Sequence, residues 1–171
     1  MADSTNGKSP EAEAAEQKGA QQMQVQIAAQ YIKDLSFENP NIEKLIENPG
    51  DNPNIQLEVN VNARRTGEEL YESSIHFTAH ASNQKGTIYQ LELVYAGMFR
   101  LRNIPQEALQ PFLLVNCPTL IFPYLRRLVS DLTREGGFPP LLLDPIDFGG
   151  LFMRRQQEAA AQGGSTPAGN A

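Results

Sequence analysis

The feature that most constrains this fold is an apolar stretch, LLVNCPTLIFPYLRRLVSDL, at residues 113–132. Its spacing is that of a helix, although Pro118 and Pro123 interrupt it. At 100° per residue, the apolar side chains from Leu120 to Leu132 spread over roughly 200°, whereas packing on one sheet needs only about 100°. The helix is therefore expected to be buried on two sides. The second side is covered either by another subunit or by the chain's own C-terminal segment.

Four segments upstream of this helix alternate apolar and polar side chains, a pattern typical of strands with one solvated face. They are residues 23–38, 55–64, 71–80 and 87–99. In the first segment the apolar side chains occupy mainly odd positions, with a bend allowed at Ile32-Lys33. The short connections RTGEE and SNQKG carry the Gly and Asn that hairpins use, which indicates antiparallel pairing.

The connection between strands one and two, residues 39–54, is long and rich in proline. It is predicted to cross the sheet to a non-adjacent strand, either as a packed helical turn or as a movable flap. Pro105 is predicted to open a helix that Asn-Cys-Pro breaks at residues 116–118. A second helix is expected from Pro118 to Arg134, and Asp147 is expected to cap a last one. The predicted fold is α+β: a four-stranded antiparallel sheet with a long crossover connection after strand one and two helices packed on one face.

Both ends of the chain differ in composition from its middle. Residues 1–22 and 156–171 are rich in Ala, Gln, Gly and Ser and offer few large apolar side chains to bury. We therefore expect a disordered N-terminal tail, a single domain over residues 23–155 and a flexible C-terminal tail. No uninterrupted apolar run approaches 18 residues, and residues 1–22 lack an apolar signal core, so a cytoplasmic location without membrane insertion is expected.

The charge of the chain argues against nucleic acid as a partner. Its net charge is -6, and the acids are concentrated in residues 23–95, which hold ten acidic and five basic side chains. An acidic surface of this kind favours a basic partner, although it also serves solubility.

Catalytic and cofactor motifs are not evident in the sequence. His76 and His80 would lie roughly 13 Å apart on a strand, too far to share one metal ion. Cys117 has no histidine near it in sequence and fits a packed thiol better than a nucleophile. The pairs in EGGF and DFGG lack the lysine and the preceding strand of a phosphate-binding loop. We therefore expect neither enzymatic activity nor a cofactor.

Three motifs resemble the SecB family of bacterial protein-export chaperones. They are YIKDLSFENPN at residues 31–41, AGMF at 96–99 and the long block from Asn116 to Phe152. The resemblance spans residues 23–155 and implies a cytoplasmic homotetramer, a dimer of dimers, without ATPase activity. It also implies a function: to hold unfolded exported precursors and deliver them to the export motor SecA.

The resemblance implies three sets of site residues. SecA docking is expected at Asp34, Glu38 and Glu92, although Gln90 replaces an apolar residue of the family pattern. The client groove is expected between the long connection and the main helix, at Phe37, Ile42, Leu45, Ile46, Phe122 and Tyr124. The chain has no tryptophan, so aromatic anchoring is either weaker or supplied by Phe37 and Tyr124. The oligomer interface is expected at Leu120, Ile121, Leu125, Leu128, Val129 and Leu132.

Three alternatives remain open at the level of sequence. A specialised chaperone of the same fold would serve a single client, such as a toxin–antitoxin partner. A small-ligand-binding α+β domain would place ionisable residues on the apolar side of the sheet, where the alternation places only Lys33. A purely structural oligomer would use the apolar helix for assembly alone.

Overall fold

A computed structural model describes residues 22–48 and 50–163 of the chain, so the predicted tails lie largely outside the described residues. Its strands are β1 (Gln24–Glu38), β2 (Asn54–Arg65), β3 (Leu70–Asn83) and β4 (Gly86–Arg102). Its helices are α1 (Ile42–Glu47), α2 (Gln106–Pro111), α3 (Cys117–Glu135) and α4 (Phe148–Gly163). A π-helical turn, Phe112–Asn116, joins α2 to α3. The predicted α+β class is confirmed.

The four strands form one antiparallel sheet in the order β1-β4-β3-β2. Because β1 and β2 are the two edges, the connection between them crosses the whole sheet, as its length predicts. This connection contains α1, and it is fastened to the β3–β4 hairpin at both ends of that helix. Asn41 donates to the carbonyl of Thr87 at 2.9 Å, and Lys85 donates to the carbonyl of Asn48 at 3.2 Å. Of the two forms expected for the connection, the structure has the packed helical turn.

The helices cover one face of the sheet, which we call the helix face; we call the opposite side the open face. On β3 and β4 the odd-numbered residues point to the helix face and form the core with α3, including Phe77, Leu91 and Phe99. Gly97 on β4 lets α3 approach closely, since a Cβ there would lie 3.0 Å from Cγ2 of Ile121. The sheet is thus covered by apolar side chains and helices on one side, whereas the other side is mostly polar apart from Val94, Ala96 and Met98 of β4.

Strand β1 departs from the predicted alternation in its middle. Its register with β4 shifts between Ile27 and Ala29 and again between Ile32 and Asp34. Each shift inserts one extra residue and moves the following side chains to the opposite face. Between the two bulges, residues 29–32 are reversed, so Tyr31 lies on the open face instead of the predicted helix face. The second bulge restores the predicted phase, and Leu35 and Phe37 again lie on the helix face.

The helical segment after the sheet is continuous, so the predicted break at residues 116–118 is wrong. Pro118 has no N–H to donate to the carbonyl four residues before it, and the wider π-helical turn immediately before α3 accommodates the missing bond. Thr119 donates its hydroxyl to the carbonyl of Val115 at 2.6 Å. The proline therefore changes the pitch of the helix without ending it.

The continuous segment Gln106–Glu135 is long and apolar enough to cross a membrane, judged by length and composition alone. Core helices of soluble proteins meet the same criterion. Here the segment contributes Leu113, Cys117 and Ile121 to the core beneath the sheet. The expectation that the chain does not insert into a membrane stays a prediction.

The last helix, α4, is capped by Asp147 as predicted, because its carboxylate accepts the N–H of Gly150 at 2.9 Å. Phe148 is buried against Phe122, with ring centroids 5.8 Å apart. Arg155 donates to the carbonyl of Val61 at 2.9 Å and so occupies part of the free edge of β2. The helix continues to Gly163, beyond the predicted domain boundary at residue 155.

Candidate protein-binding surfaces

The three acids predicted to bind SecA all lie exposed on the open face. Glu92 on β4 is opposite Ser36 on β1, and Asp34 and Glu38 flank Ser36 on the same face. Gln90 donates to the carboxylate of Glu92 at 3.1 Å. The register therefore gathers acids that are distant in sequence into one region of the sheet.

Glu58 on β2 is a fourth acid in this region that the sequence analysis did not identify. It lies opposite Thr78, which in turn lies opposite Glu92, so all three share one row across the sheet. Its even position in the alternating segment of β2 was the signal available, but only the strand order shows that it aligns with Glu92. We call Asp34, Glu38, Glu58 and Glu92 the acidic band.

A different acid, Glu72, is only 3% exposed although it lies on the open face. Tyr31 and Lys33 of β1 donate to it at 2.6 and 2.7 Å, and Arg64 of β2 donates to both of its oxygens at 2.8 and 2.9 Å. The bonds from Arg64 are the main reason that the pKa of Glu72 lies well below its usual range. The hydrogen bond that Tyr31 donates to Glu72 raises the pKa of the Tyr31 hydroxyl. This cluster joins both edge strands across the sheet.

An aromatic cluster lies on the helix face, where the long connection meets the end of α3. Phe37 of β1 stacks on Tyr89 at 5.8 Å, and Tyr89 contacts Phe138 at 5.2 Å. Gly136 lies against the ring of Phe37, so closely that any Cβ at this position would clash with it. The glycine pair at the end of α3 therefore does more than stop the helix, because it makes room for the aromatic cluster.

The predicted groove residues of the long connection border this aromatic cluster. Ile42 lies beside Gly137, and Leu45 packs against the core. Ile46 is 74% exposed, and Leu142, on the segment after Phe138, is 71% exposed. Tyr89, Phe138 and Leu142 were not among the predicted groove residues.

Two predicted groove residues on α3 lie away from the aromatic cluster. Phe122 is buried in its contact with Phe148, so the structure leaves it little surface for a client. Tyr124 is 46% exposed and stacks on Tyr95 at 6.4 Å. The helical pattern identified both as apolar-face residues but did not distinguish which side of α3 each one occupies.

The apolar arc of α3 divides into an inner and an outer part, which corrects half of the predicted oligomer interface. Ile121, Leu125 and Val129 are fully buried within the subunit, so they are core residues. Leu132 is partly buried and packs against the same core. The outer part consists of Leu120, Tyr124 and Leu128, which we call the outer stripe of α3. Leu120 and Tyr124 are both nearly half exposed, whereas Leu128 is half-buried and, like Leu132, also packs against the core.

The described residues offer little that would support catalysis. Within residues 22–48 and 50–163, no group of three or more His, Cys, Asp or Glu side chains is placed to hold a metal ion. Burial raises the pKa of the Cys117 thiol to about 12, which keeps it protonated and unreactive at neutral pH. His76 and His80 lie half-buried on the open face, and His76 is 3.3 Å from the hydroxyl of Ser74.

Comparison with known proteins identifies relatives over most of the chain. Residues 18–159 match the family model of SecB, described as preprotein translocase subunit SecB. The protein-export protein SecB of Xanthobacter autotrophicus is 46% identical over 132 residues, which cover 77% of this chain and 85% of the relative. The protein-export protein SecB of Rhizorhabdus wittichii is 45% identical over 148 residues, covering 86% and 89% of the two chains.

The fold also resembles a solved structure. A SecB-like chaperone of Mycobacterium tuberculosis, in complex with a peptide from an antitoxin, superposes with a TM-score of 0.59. The match covers 71% of this chain and 90% of that one at 18% sequence identity. At this identity the likeness concerns the arrangement of strands and helices alone.

Proposed function

The chain belongs to the SecB family of protein-export chaperones, and we propose that each of its two faces binds a different partner. The protein is a chaperone of the Sec pathway and not an enzyme. We assign client binding to the helix face, around the aromatic cluster, and binding of the motor SecA to the acidic band on the open face. The observation that carries this assignment is that the aromatic cluster, with the exposed Ile46 and Leu142 beside it, and the acidic band lie on opposite sides of one sheet.

The aromatic cluster suits an unfolded polypeptide because it combines rings with exposed aliphatic side chains. Phe37, Tyr89 and Phe138 are in continuous ring contact, with Tyr89 buried and Phe37 and Phe138 partly exposed. Ile46 and Leu142 are the most exposed large apolar side chains among the described residues. An unfolded chain exposes apolar side chains that a folded protein buries, so apolar contacts of this kind select for the unfolded state. Many weak contacts along one client add through multivalency and still permit release.

Assembly into a homotetramer, a dimer of dimers of about 76 kDa (four times the 18.9 kDa chain), would increase this multivalency. Two uncovered surfaces support it. One is the outer stripe of α3, and the other is the edge strand β1, whose Val25 and Ile27 are more than a third exposed. An edge strand also presents unpaired backbone groups to a second copy. We place the assembly in the bacterial cytoplasm, where precursors are made.

The test is binding of a long precursor-like chain, unfolded or folded, to the purified protein and to the double variant Ile46→Ser/Leu142→Ser. We expect the unfolded chain to bind and the folded one not to bind. The double variant is expected to bind the unfolded chain roughly tenfold more weakly, which corresponds to about 1.4 kcal/mol. Both side chains are exposed, so stability is expected to change by no more than about 0.5 kcal/mol each.

Met153→Ser is the matched control, because Met153 is also exposed but lies on α4. It is expected to leave binding of the unfolded chain unchanged. Equal loss of binding in the control and in the double variant would contradict the assignment of the client surface. A protein that binds neither form of the precursor would contradict the holding function itself and leave assembly as the role of the apolar surfaces.

A further inference from the structure

The reversed segment of β1, residues 29–32, has an unusual composition for its position. It turns the amide of Gln30 to the helix face, opposite Gly97. The side-chain oxygen of Gln30 is buried there and accepts no hydrogen bond from any residue that the structure describes. A buried acceptor without a partner is unfavourable, because it has lost its hydrogen bond to water without a replacement. Some other interaction must therefore favour the reversed arrangement.

A second pairing of β1 with β4 would avoid this cost and follow the alternation of the sequence. Ile27 would remain opposite Phe99 and Asp34 opposite Val94, as observed. Ala28 would pair with Met98, and both extra residues, Ile32 and Lys33, would form one larger special bulge. In this unreversed register Gln30 returns to the solvated open face and Tyr31 moves to the helix face. The two registers differ only between residues 28 and 33.

The hydrogen bond between Tyr31 and Glu72 exists only in the observed register. The hydroxyl of Tyr31 reaches Glu72 because Tyr31 lies opposite Ala96 on the open face, and Lys33 reaches it from the second bulge. With Tyr31 on the helix face, the sheet itself would separate its hydroxyl from Glu72. Hydrogen bonds to a carboxylate are stronger than those between neutral groups, so the contact with Glu72 can offset the unpartnered oxygen of Gln30.

We propose that Glu72 sets the register of the edge strand β1, by holding Tyr31 and Lys33 on the open face against the alternation of the sequence. Glu72 is thus a positioning residue for the surface that β1 presents. With Glu72 engaged, Ile32 lies on the helix face and is 43% exposed. Without this contact, Tyr31 replaces Ile32 on the helix face. The edge strand β1 then presents a different side chain to a partner that binds there.

Disulfide trapping distinguishes the two registers. The pair Ala29→Cys/Met98→Cys is opposite in the observed register, and the pair Ala28→Cys/Met98→Cys is opposite in the unreversed one; directly opposed residues lie within reach of a disulfide. Each pair is oxidised under limiting oxidant, and the intrachain cross-link is quantified by peptide mass spectrometry. Cys117 does not compete, because it is buried and its pKa is raised to about 12.

We expect the 29–98 cross-link to form faster in the otherwise unchanged chain. In Glu72→Gln, and separately in Tyr31→Phe/Lys33→Met, the ratio of the 28–98 to the 29–98 rate is expected to rise about tenfold, as a loss of about 1.4 kcal/mol predicts. The second variant keeps the test available should Glu72→Gln fail to fold. A ratio that stays within twofold of the original in Tyr31→Phe/Lys33→Met would overturn the proposal.

Two controls separate a register change from general loosening of the sheet. The pair Gln26→Cys/Arg100→Cys is opposite in both registers, so its rate is expected to stay unchanged in every background. Arg64→Met removes the contact between Glu72 and β2 but leaves those to β1, and is expected to keep the original ratio. A shift in Arg64→Met as large as that in Tyr31→Phe/Lys33→Met would also overturn the proposal.

Discussion

Glu72 is a carboxylate that the protein shields from solvent on a face that no helix covers. Its shield consists of the side chains that bind it, Tyr31, Lys33 and Arg64. The two cations are themselves partly exposed, so water screens their charges and weakens each ion pair. The hydrogen bonds to the carboxylate, rather than the net charge of the cluster, therefore carry most of its stabilising effect.

This arrangement predicts a dependence of stability on acid pH. The pKa of Glu72 is lowered in the folded chain, so the unfolded chain takes up this proton first as pH falls. The contribution of Glu72 is fully present above about pH 5 and is lost progressively as pH falls through the unfolded pKa of about 4.3 toward the lower pKa of the folded chain. We expect the difference in unfolding free energy between the original chain and Glu72→Gln to be largest at pH 7 and to shrink toward pH 3. Urea titrations at one fixed protein concentration measure it, and a difference that grows with acidity would contradict the prediction.

Gly97 makes a second prediction at the scale of one residue. A Cβ at this position would lie 2.7 Å from Cε2 of Phe99 and 3.0 Å from Cγ2 of Ile121, both of which are fully buried. Gly97→Ala is therefore expected to destabilise the fold by about 1–3 kcal/mol, measured by urea unfolding. Gly67→Ala is the control, because its Cβ would meet only Leu70, in an exposed turn. Equal stability losses in the two variants would show that α3 does not pack on Gly97 as described.

At the scale of elements, the sequence predicted the strands and their wet and dry faces well where alternation was uninterrupted. In β2 the alternation from Ile55 to Arg64 is not interrupted by any register shift against β3, although Ile55 and Leu57 on its apolar face stay exposed. In β1 it fails over residues 29–32, because bulges depend on contacts with distant residues such as Glu72. The predicted helix break at Pro118 was wrong for a related reason. The local effect of a proline is to remove a hydrogen bond, and whether a helix then ends depends on what the neighbouring turn and the sheet can accommodate.

The two sides of α3 can be compared through substitutions at two neighbouring residues. Leu120 lies in the outer stripe and Ile121 is fully buried. Ile121→Ala is expected to lower stability by about 2–5 kcal/mol. Leu120→Glu is expected to change the stability of the isolated subunit little but to lower the native mass below the roughly 76 kDa of the proposed tetramer (four times 18.9 kDa), because it would place charge in an apolar contact between copies.

Light scattering measures the mass and circular dichroism the fold of each variant. Arg126→Glu is the control for added charge, since Arg126 is exposed on α3 but lies about 120° around the helix from Leu120. If Leu120→Glu keeps the native mass of the original chain, the outer stripe is not a subunit interface. The wide apolar arc was evident in the sequence, yet its division into core and outer stripe depends on where the sheet lies.

At the scale of the whole molecule, the acidic surface was predicted from the sequence more completely than the client surface. The resemblance identified acids that the register then gathers on the open face, because the second bulge of β1 restores the alternation before Asp34 and Glu38. The client surface was predicted less completely, since Tyr89 and Phe138 join Phe37 only through the meeting of β1, β4 and the end of α3. Contacts among three separate elements leave no periodic signal in the sequence.

The acidic band gives the last prediction, which concerns the interaction with SecA. The triple variant Asp34→Asn/Glu38→Gln/Glu92→Gln is expected to bind SecA about tenfold more weakly at low salt, since exposed charges contribute about 0.2–1 kcal/mol each. Added salt should weaken binding of the original chain more than that of the variant, because the variant has lost the screened attraction. The control Glu43→Gln/Glu107→Gln/Glu135→Gln changes the net charge equally at exposed positions outside the band.

Titration calorimetry at two salt concentrations compares the three proteins. An equal loss in the control would mean that net charge governs the interaction, whereas a loss confined to the band variant, with client binding intact, would show that the two faces act separately.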